Sequence, residues 1–135
     1  MSQENVEVVR RFVNAYNRRD VEAMLNELDP EVEWHPAILA LVEGKATVYR
    51  GHEGIRQWVR DLDDVFDEID VQVSEIRDHG DQVFWVGQIR MRGRGSGAWT
   101  ESPIASVSEI RSGKSIRIRT YLDPKEALEA AGLSE

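Results

Sequence analysis

The sequence has no cysteine among its 135 residues. Disulfide bonds, thiolate nucleophiles and thiolate metal sites are therefore excluded. It also lacks an apolar stretch long enough to span a bilayer, and charged residues from Glu4 onward interrupt its start, so no secretion signal is expected there. These absences favour a cytoplasmic protein that does not bind membranes.

Positive charge is scarce, since 17 Lys and Arg stand against 25 Asp and Glu and the net charge is −8. Such a chain repels nucleic acid and anionic lipid at long range. Seven basic residues between Arg90 and Arg119 form a local exception. They lack the interleaved aromatic residues of a base-stacking surface. We interpret them as the polar face of half-buried strands and expect no nucleic-acid partner.

The first half of the chain is predicted to be mostly helical. Apolar residues at helical spacing predict one helix up to about residue 19, a short one that Asp20 caps and Pro30 ends, and a third over about residues 52–66. Val32 and Trp34 alternate with polar residues, which predicts a short strand ending at Pro36. Residues 37–49 show no periodicity and are interpreted as a loop or flap over a pocket.

The second half is predicted to form strands. Alternating residues from Ile69 onward, with turns at residues 78–81, 93–97 and 112–113, predict four antiparallel strands. Asp123 and Pro124 then suit the N-cap and first turn of a closing helix. Because the strands cluster after the helices, the class is α+β, a single domain over residues 1–135. Three helices cannot fill the concave face of a long curved sheet, so a pocket is expected.

Two other patterns indicate no cofactor or metal. The acidic run from Asp61 to Asp67 does not have the spacing of a calcium loop, and the glycine-rich segment at residues 93–97 lacks the lysine of a phosphate loop. The three histidines are scattered along the chain. We interpret the first pattern as a solvated helix face and the second as a hairpin turn.

Four segments carry a family resemblance. They are Phe12 to Met24, then Val32-Glu33-Trp34-His35-Pro36, then Tyr49 to Ile55, and the closing stretch from Gly113 to Leu133. Together they resemble the nuclear transport factor 2-like superfamily, and within it the SnoaL-like group named for a polyketide cyclase. The resemblance implies a cone-shaped curved antiparallel sheet against three N-terminal helices, a cystatin-like arrangement, with a short C-terminal helix. It implies no single function, because this fold hosts enzymes and binding domains.

Steroid isomerases of the superfamily use an aspartate followed by proline at the end of the first strand, together with a tyrosine and an acid that form an oxyanion hole. His35-Pro36 stands at the first position. The tyrosine's place falls on Phe12 and the acid's place near Ala105, and neither side chain can donate a hydrogen bond. The isomerase mechanism is therefore not expected here.

His35 and Glu101 are the candidate catalytic residues. An imidazole titrates near neutral pH and can act as a general base, although the bland alternative is a strand-end histidine half in solvent. Counting back across the turn at Gly113 places Glu101 on the pocket side of its strand, where burial would raise its pKa and suit it as an acid. The alternative is a solvated glutamate paired with an arginine, and a one-residue bulge would also turn it outward.

Large aromatic side chains are the candidate ligand contacts, because they offer broad apolar surface with a polar tip. Strand alternation adds Thr120 to the pocket side. Each of the aromatic residues also suits a simple core position, Trp58 most of all. The candidate ligand-binding residues are Tyr16, Trp34, Tyr49, Trp58, Trp85 and Thr120, and Trp99 is expected near the cavity.

Two classes of function remain open. One is a cofactor-independent enzyme that acts on a small hydrophobic ring or carbonyl compound by proton transfer, with no metal. The other is a non-catalytic domain that binds a small hydrophobic ligand or works as a dimer. A homodimer is expected in both cases, through an outer sheet face that carries Phe84, Val86, Arg90, Arg117, Arg119 and Tyr121.

Overall fold

A computed structural model describes residues 2–133, and it confirms the α+β class. Two helices begin the chain and a long helix lies in its middle, as predicted. A short helix also occupies the segment expected to be a flap, where Gly44 adopts a left-handed conformation at the C-cap. The helices are α1 (Ser2–Asn17), α2 (Val21–Leu25), α3 (Ala37–Glu43), α4 (Gly51–Val65) and α5 (Pro124–Ala130).

Six strands form one curved sheet in the order β2-β1-β6-β5-β4-β3. Their pairs are antiparallel except for β1 with β6, which run parallel. The curved antiparallel sheet that was expected thus contains one parallel pair. The strands are β1 (Leu28–His35), β2 (Tyr49–Arg50), β3 (Phe66–His79), β4 (Gln82–Gly93), β5 (Trp99–Arg111) and β6 (Lys114–Tyr121).

Strand β3 carries a bulge where it pairs with β4. The register of this pair shifts between Val73 and Glu75, and Gly87 lies opposite Val73. A Cβ atom on Gly87 would stand 2.0 Å from the carbonyl oxygen of Gln72, so only glycine allows this close approach. The bulge and the glycine together increase the local curvature that makes room for a cavity.

The main core lies between the inner sheet face, which carries Trp34, Trp85, Ile89, Ile104 and Ile118, and helices α1, α2 and α4. These helices bury one apolar stripe each, because their apolar residues recur at helical spacing. Within residues 2–133, no helix combines the length and the apolar character that a bilayer crossing requires.

Helix α5 packs on the opposite, outer sheet face. Its Ala127 and Leu128 form a second cluster with Phe84, Ala105 and Val107. Asp123 caps the helix by accepting a 3.0 Å hydrogen bond from the N–H of Lys125. Part of the surface proposed for dimerisation is thus covered by the chain itself.

Candidate functional site: an aromatic cavity inside the cone

An apolar cavity, the main cavity, lies between the inner sheet face and the helices. Its volume is about 50 Å³. Side chains from α1, α3, α4 and five strands form the wall, so every layer of the fold contributes. The lining residues are Phe12, Val13, Tyr16, Trp34, Pro36, Ile38, Trp58, Leu62, Val71, Trp85, Ile89, Ile104 and Thr120.

Aromatic rings narrow the main cavity. The ring centroids of Trp34 and Trp58 are 4.6 Å apart, and those of Tyr16 and Trp58 are 5.5 Å apart in a stacked arrangement. Phe12 lies 6.0 Å from Trp34. Such aromatic pairs stabilise the fold by more than the burial of their apolar area alone would give. These rings therefore belong to the core and also line the cavity. Trp58 holds both of the positions that the sequence left open for it, the core position and the cavity wall.

Three polar groups in the wall differ in what they can offer a ligand. The indole Nε1 of Trp34 is buried and has no hydrogen-bond partner. Burial raises the pKa of Tyr16 well above its ordinary value, with smaller effects from Arg19 and Asp70, so its hydroxyl stays protonated. The Thr120 hydroxyl is already engaged, because it donates to the carbonyl of His35 and accepts from the N–H of Ala37.

His35 does not line the main cavity. It alternates with Trp34 along β1 and lies on the outer face, where its Nε2 is 3.2 Å from Oε1 of Glu33. Hydrogen bonds from His35 and Arg50 lower the pKa of Glu33. Arg117 also lies near Glu33, at 3.9 Å. The imidazole thus belongs to a network of surface charges.

Glu101 also lies on the outer face. It stands opposite Arg90 in the sheet, 3.8 Å from its Nε, with 62% of its side chain exposed. The pocket-side positions predicted on β5 are corrected by one residue, because Ile104 lines the cavity and Ala105 packs under α5. The structure therefore does not bring His35 and Glu101 together in the cavity.

Two other aromatic residues lie outside the main cavity wall. Tyr49 is buried and donates a 2.6 Å hydrogen bond to Oδ2 of Asp61. Burial and this carboxylate raise the pKa of Tyr49. Trp99, expected near the cavity, is 47% exposed on the outer side, where the guanidinium of Arg90 lies 4.5 Å from its ring centroid. The remaining candidates, Tyr16, Trp34, Trp58, Trp85 and Thr120, do line it.

Sequence reasoning missed a second, smaller space, the serine chamber, next to the main cavity. It has a volume of about 20 Å³. Three buried serines, Ser106, Ser108 and Ser115, line it together with Trp34 and four further apolar residues. A signal existed in the sequence, since serines at 106 and 108 interrupt an apolar strand with period two.

Charged side chains are absent from the described wall of the main cavity. None of its lining residues is Asp, Glu, His, Lys or Arg. Likewise, residues 2–133 contain no group of three or more His, Asp or Glu placed to hold a metal ion. The arrangement suits apolar contact and hydrogen bonding by neutral donors.

Solved structures with the same fold come from several sources. An NTF2-like protein of unknown function from Burkholderia pseudomallei is 21% identical with a TM-score of 0.81, over 93% of this chain and 95% of that one. TerC, co-crystallised with polyporic acid, is 23% identical with a TM-score of 0.79, over 93% and 98%. An NTF2-like protein from Burkholderia thailandensis is 25% identical with a TM-score of 0.76, over 96% and 98%.

Comparison of sequences gives the family. No curated protein matches the chain significantly. The family model described as SnoaL-like domain matches residues 9–118, which include the second half of α1, the whole wall up to Ile104 and most of β6. The chain therefore belongs to the SnoaL-like domain family.

Proposed function

We propose that this protein binds a small, flat, mainly apolar molecule in the main cavity, without acid or base catalysis by a charged side chain. One observation carries the proposal: the cavity wall combines aromatic rings from α1, β1, α4 and β4 with no carboxylate, imidazole or amine. Apolar surface buried there stabilises a complex by about 25 cal/mol per Å². Stacking against Trp34, Trp58 or Trp85 favours a planar ring.

The size of the free space limits how the ligand enters. About 50 Å³ is open, whereas an apolar cavity of ~150 Å³ is known to hold benzene. A ring must therefore displace a side chain of the wall. Ile38 is the best candidate, because it lies on the seven-residue α3, whose outer residues Leu41 and Val42 are exposed. A small outward shift of α3 opens the mouth without disturbing the sheet.

The enzyme alternative rests on His35 and Glu101, and their places do not support it. Both face away from the main cavity, where His35 lies 3.2 Å from Glu33 and Glu101 lies 3.8 Å from Arg90. A proton donor or acceptor must come within hydrogen-bond reach of the reacting atom. A molecule in the main cavity is separated from both side chains by the sheet.

Only part of the outer sheet face proposed for the homodimer is left uncovered by α5. Phe84 is buried under α5, and Val86 and Tyr121 pack against the same cluster. Arg90, Arg117 and Arg119 remain in ion pairs on the outer face. Sedimentation velocity at micromolar concentration tests the pairing, and a single monomeric species would remove it from the proposal.

A direct binding measurement tests the proposed function. Polyporic acid, the compound crystallised with TerC, and toluene, a plain ring, are titrated into the 15N-labelled protein and followed by NMR. We expect shifts at main-cavity residues such as Ile104 and Ile38 at ligand concentrations up to about 1 mM.

A matched pair of variants locates the site. Ile104→Phe adds a ring inside the cavity, and Val48→Phe adds one at a surface position that is 37% exposed. We expect the first variant to lose binding and the second to keep it. The proposal fails if neither compound shifts cavity resonances, or if Ile104→Phe remains folded and binds as well as the wild type.

A further inference from the structure

Trp34 lies in the wall between the main cavity and the serine chamber. Its side chain lines both spaces, as do those of Phe12 and Trp85. Only 5% of Trp34 is exposed, and its Nε1 has no hydrogen-bond partner. A buried N–H without a partner destabilises the folded protein, and an acceptor from outside the chain removes that cost.

The serine chamber has the chemistry to supply a place for that acceptor. Ser106, Ser108 and Ser115 are each at most 3% exposed. They are brought together because Ser106 and Ser108 lie on the inner face of β5, and Ser115 lies opposite Ile110 at the start of β6. Each hydroxyl can donate and accept. The three hydroxyls share one wall with Trp34, whose indole N–H has no partner, and the surrounding apolar core does not explain this concentration of polar groups.

The volume restricts the occupant to one oxygen-sized group. About 20 Å³ holds one water molecule, which requires at least ~10–15 Å³ and two to four polar partners. A carboxylate, with its charge and two oxygens, does not suit a chamber without a cationic lining residue. A single neutral hydroxyl or carbonyl oxygen does.

We propose that the serine chamber is the polar end of the binding site and takes the hydroxyl or carbonyl oxygen of a ring compound whose apolar part lies in the main cavity. In the free protein a water molecule occupies the same place. The inference rests on the proposed function and narrows its ligand class to rings that carry one neutral oxygen. The oxygen accepts a hydrogen bond from Trp34 Nε1 and exchanges a second with a serine hydroxyl.

Toluene and p-cresol test this, because they differ only by one hydroxyl group. Both are titrated into the wild type, Trp34→Phe and Ser106→Ala, with Ser102→Ala as the control. Ser102 lies four residues before Ser106 on β5, and its hydroxyl donates to the carbonyl of Pro103 instead. Comparing the two ligands within each variant cancels general effects on folding and on the cavity wall.

We expect Trp34→Phe and Ser106→Ala to weaken p-cresol binding by about three- to tenfold, the value of one net hydrogen bond, relative to toluene. Ser102→Ala should leave the ratio unchanged. If both ligands weaken equally in both chamber variants, the inference is overturned while the proposed function stands. If toluene and p-cresol both fail to bind the wild type, the inference is overturned, and the proposed function stands only if polyporic acid still shifts the resonances of the main cavity. Ser106→Ala keeps the test valid should Trp34→Phe not fold.

Discussion

The ring centroids of Trp34 and Trp58 lie 4.6 Å apart with the ring planes at 59°. Trp34 belongs to β1 and Trp58 to α4, so this contact packs helix α4 against the sheet. It also forms one wall of the main cavity. Stability and ligand access therefore depend on the same two side chains.

Trp58→Ala should lower the free energy of unfolding by about 3–5 kcal/mol, because it removes a fully packed aromatic ring that is only 2% exposed. Urea denaturation followed by circular dichroism measures the loss. Trp99→Ala is the control, since Trp99 is 47% exposed and should cost far less. Equal losses of unfolding free energy in the two variants would show that the contact between Trp34 and Trp58 does not stabilise the packing of α4.

Gly87→Ala should destabilise the protein by at least about 1–3 kcal/mol, the range of forced overpacking. The added Cβ would meet the backbone oxygen of Gln72 at 2.0 Å, and a backbone atom cannot rotate away. Gly93→Ala on the same strand is the matched control, because its Cβ would meet only the flexible hydroxyl of Ser96. A melting temperature for Gly87→Ala as high as that of the control would contradict the close approach.

Glu33 should contribute to the pH dependence of stability. Its pKa in the folded protein is lowered by hydrogen bonds from His35 and Arg50, so the unfolded chain binds the proton more readily. Its contribution is present above the ordinary value of 4.5 and is lost as the pH falls through the lowered folded pKa. Thermal melts of wild type and Glu33→Gln between pH 7 and pH 3 should therefore converge at the acid end. If the difference in melting temperature between the two proteins grew as the pH fell, the assigned direction of the pKa shift of Glu33 would be wrong.

Tyr16 and Tyr49 should resist ionisation in alkaline solution. Burial raises the pKa of both above the ordinary value of 10.0, and Asp61 adds to the effect at Tyr49. Absorbance at the tyrosinate band should show these two phenols titrating only as the protein unfolds. Tyr16→Phe and Tyr49→Phe should each remove part of that late step. Loss of an early step instead would place the substituted ring in contact with solvent.

The order of the elements and the fold class followed from the sequence because both depend on periodicity, which is local. The faces of β4 and β6 were also predicted, with Trp85, Ile89 and Thr120 on the pocket side as observed. The face of β5 was wrong. The prediction counted across the turn without a bulge, but the register of β5 against β6 shifts by one residue between Glu109 and Ile110. A shift of one residue exchanges the two faces, so the β5 side chains predicted to face the pocket face outward. A bulge is set by tertiary packing, so counting across the turn could not reveal it.

The placement of His35 failed for a different reason. Alternation along β1 puts His35 on the face opposite to Trp34, and the sequence already showed that alternation. Family resemblance favoured His35 as a base because it precedes Pro36, although the alternation contradicted a shared cavity. The helix α3 was missed because seven apolar-rich residues give no reliable period, and the helix is stopped by Gly44 rather than by its own pattern.

The parallel pair of β1 and β6 also sets the order in which the protein can be completed during synthesis. Leu28 and Trp34 meet their partners Ser115 and Ile118 across more than half of the sequence. The antiparallel meander of β3 to β5 can form while the chain is still being translated, but β1 must wait with its flanking helices until the last strand leaves the ribosome. A chain halted after β5 would leave β1 without its parallel neighbour β6, and the sheet would then be open between β1 and β5.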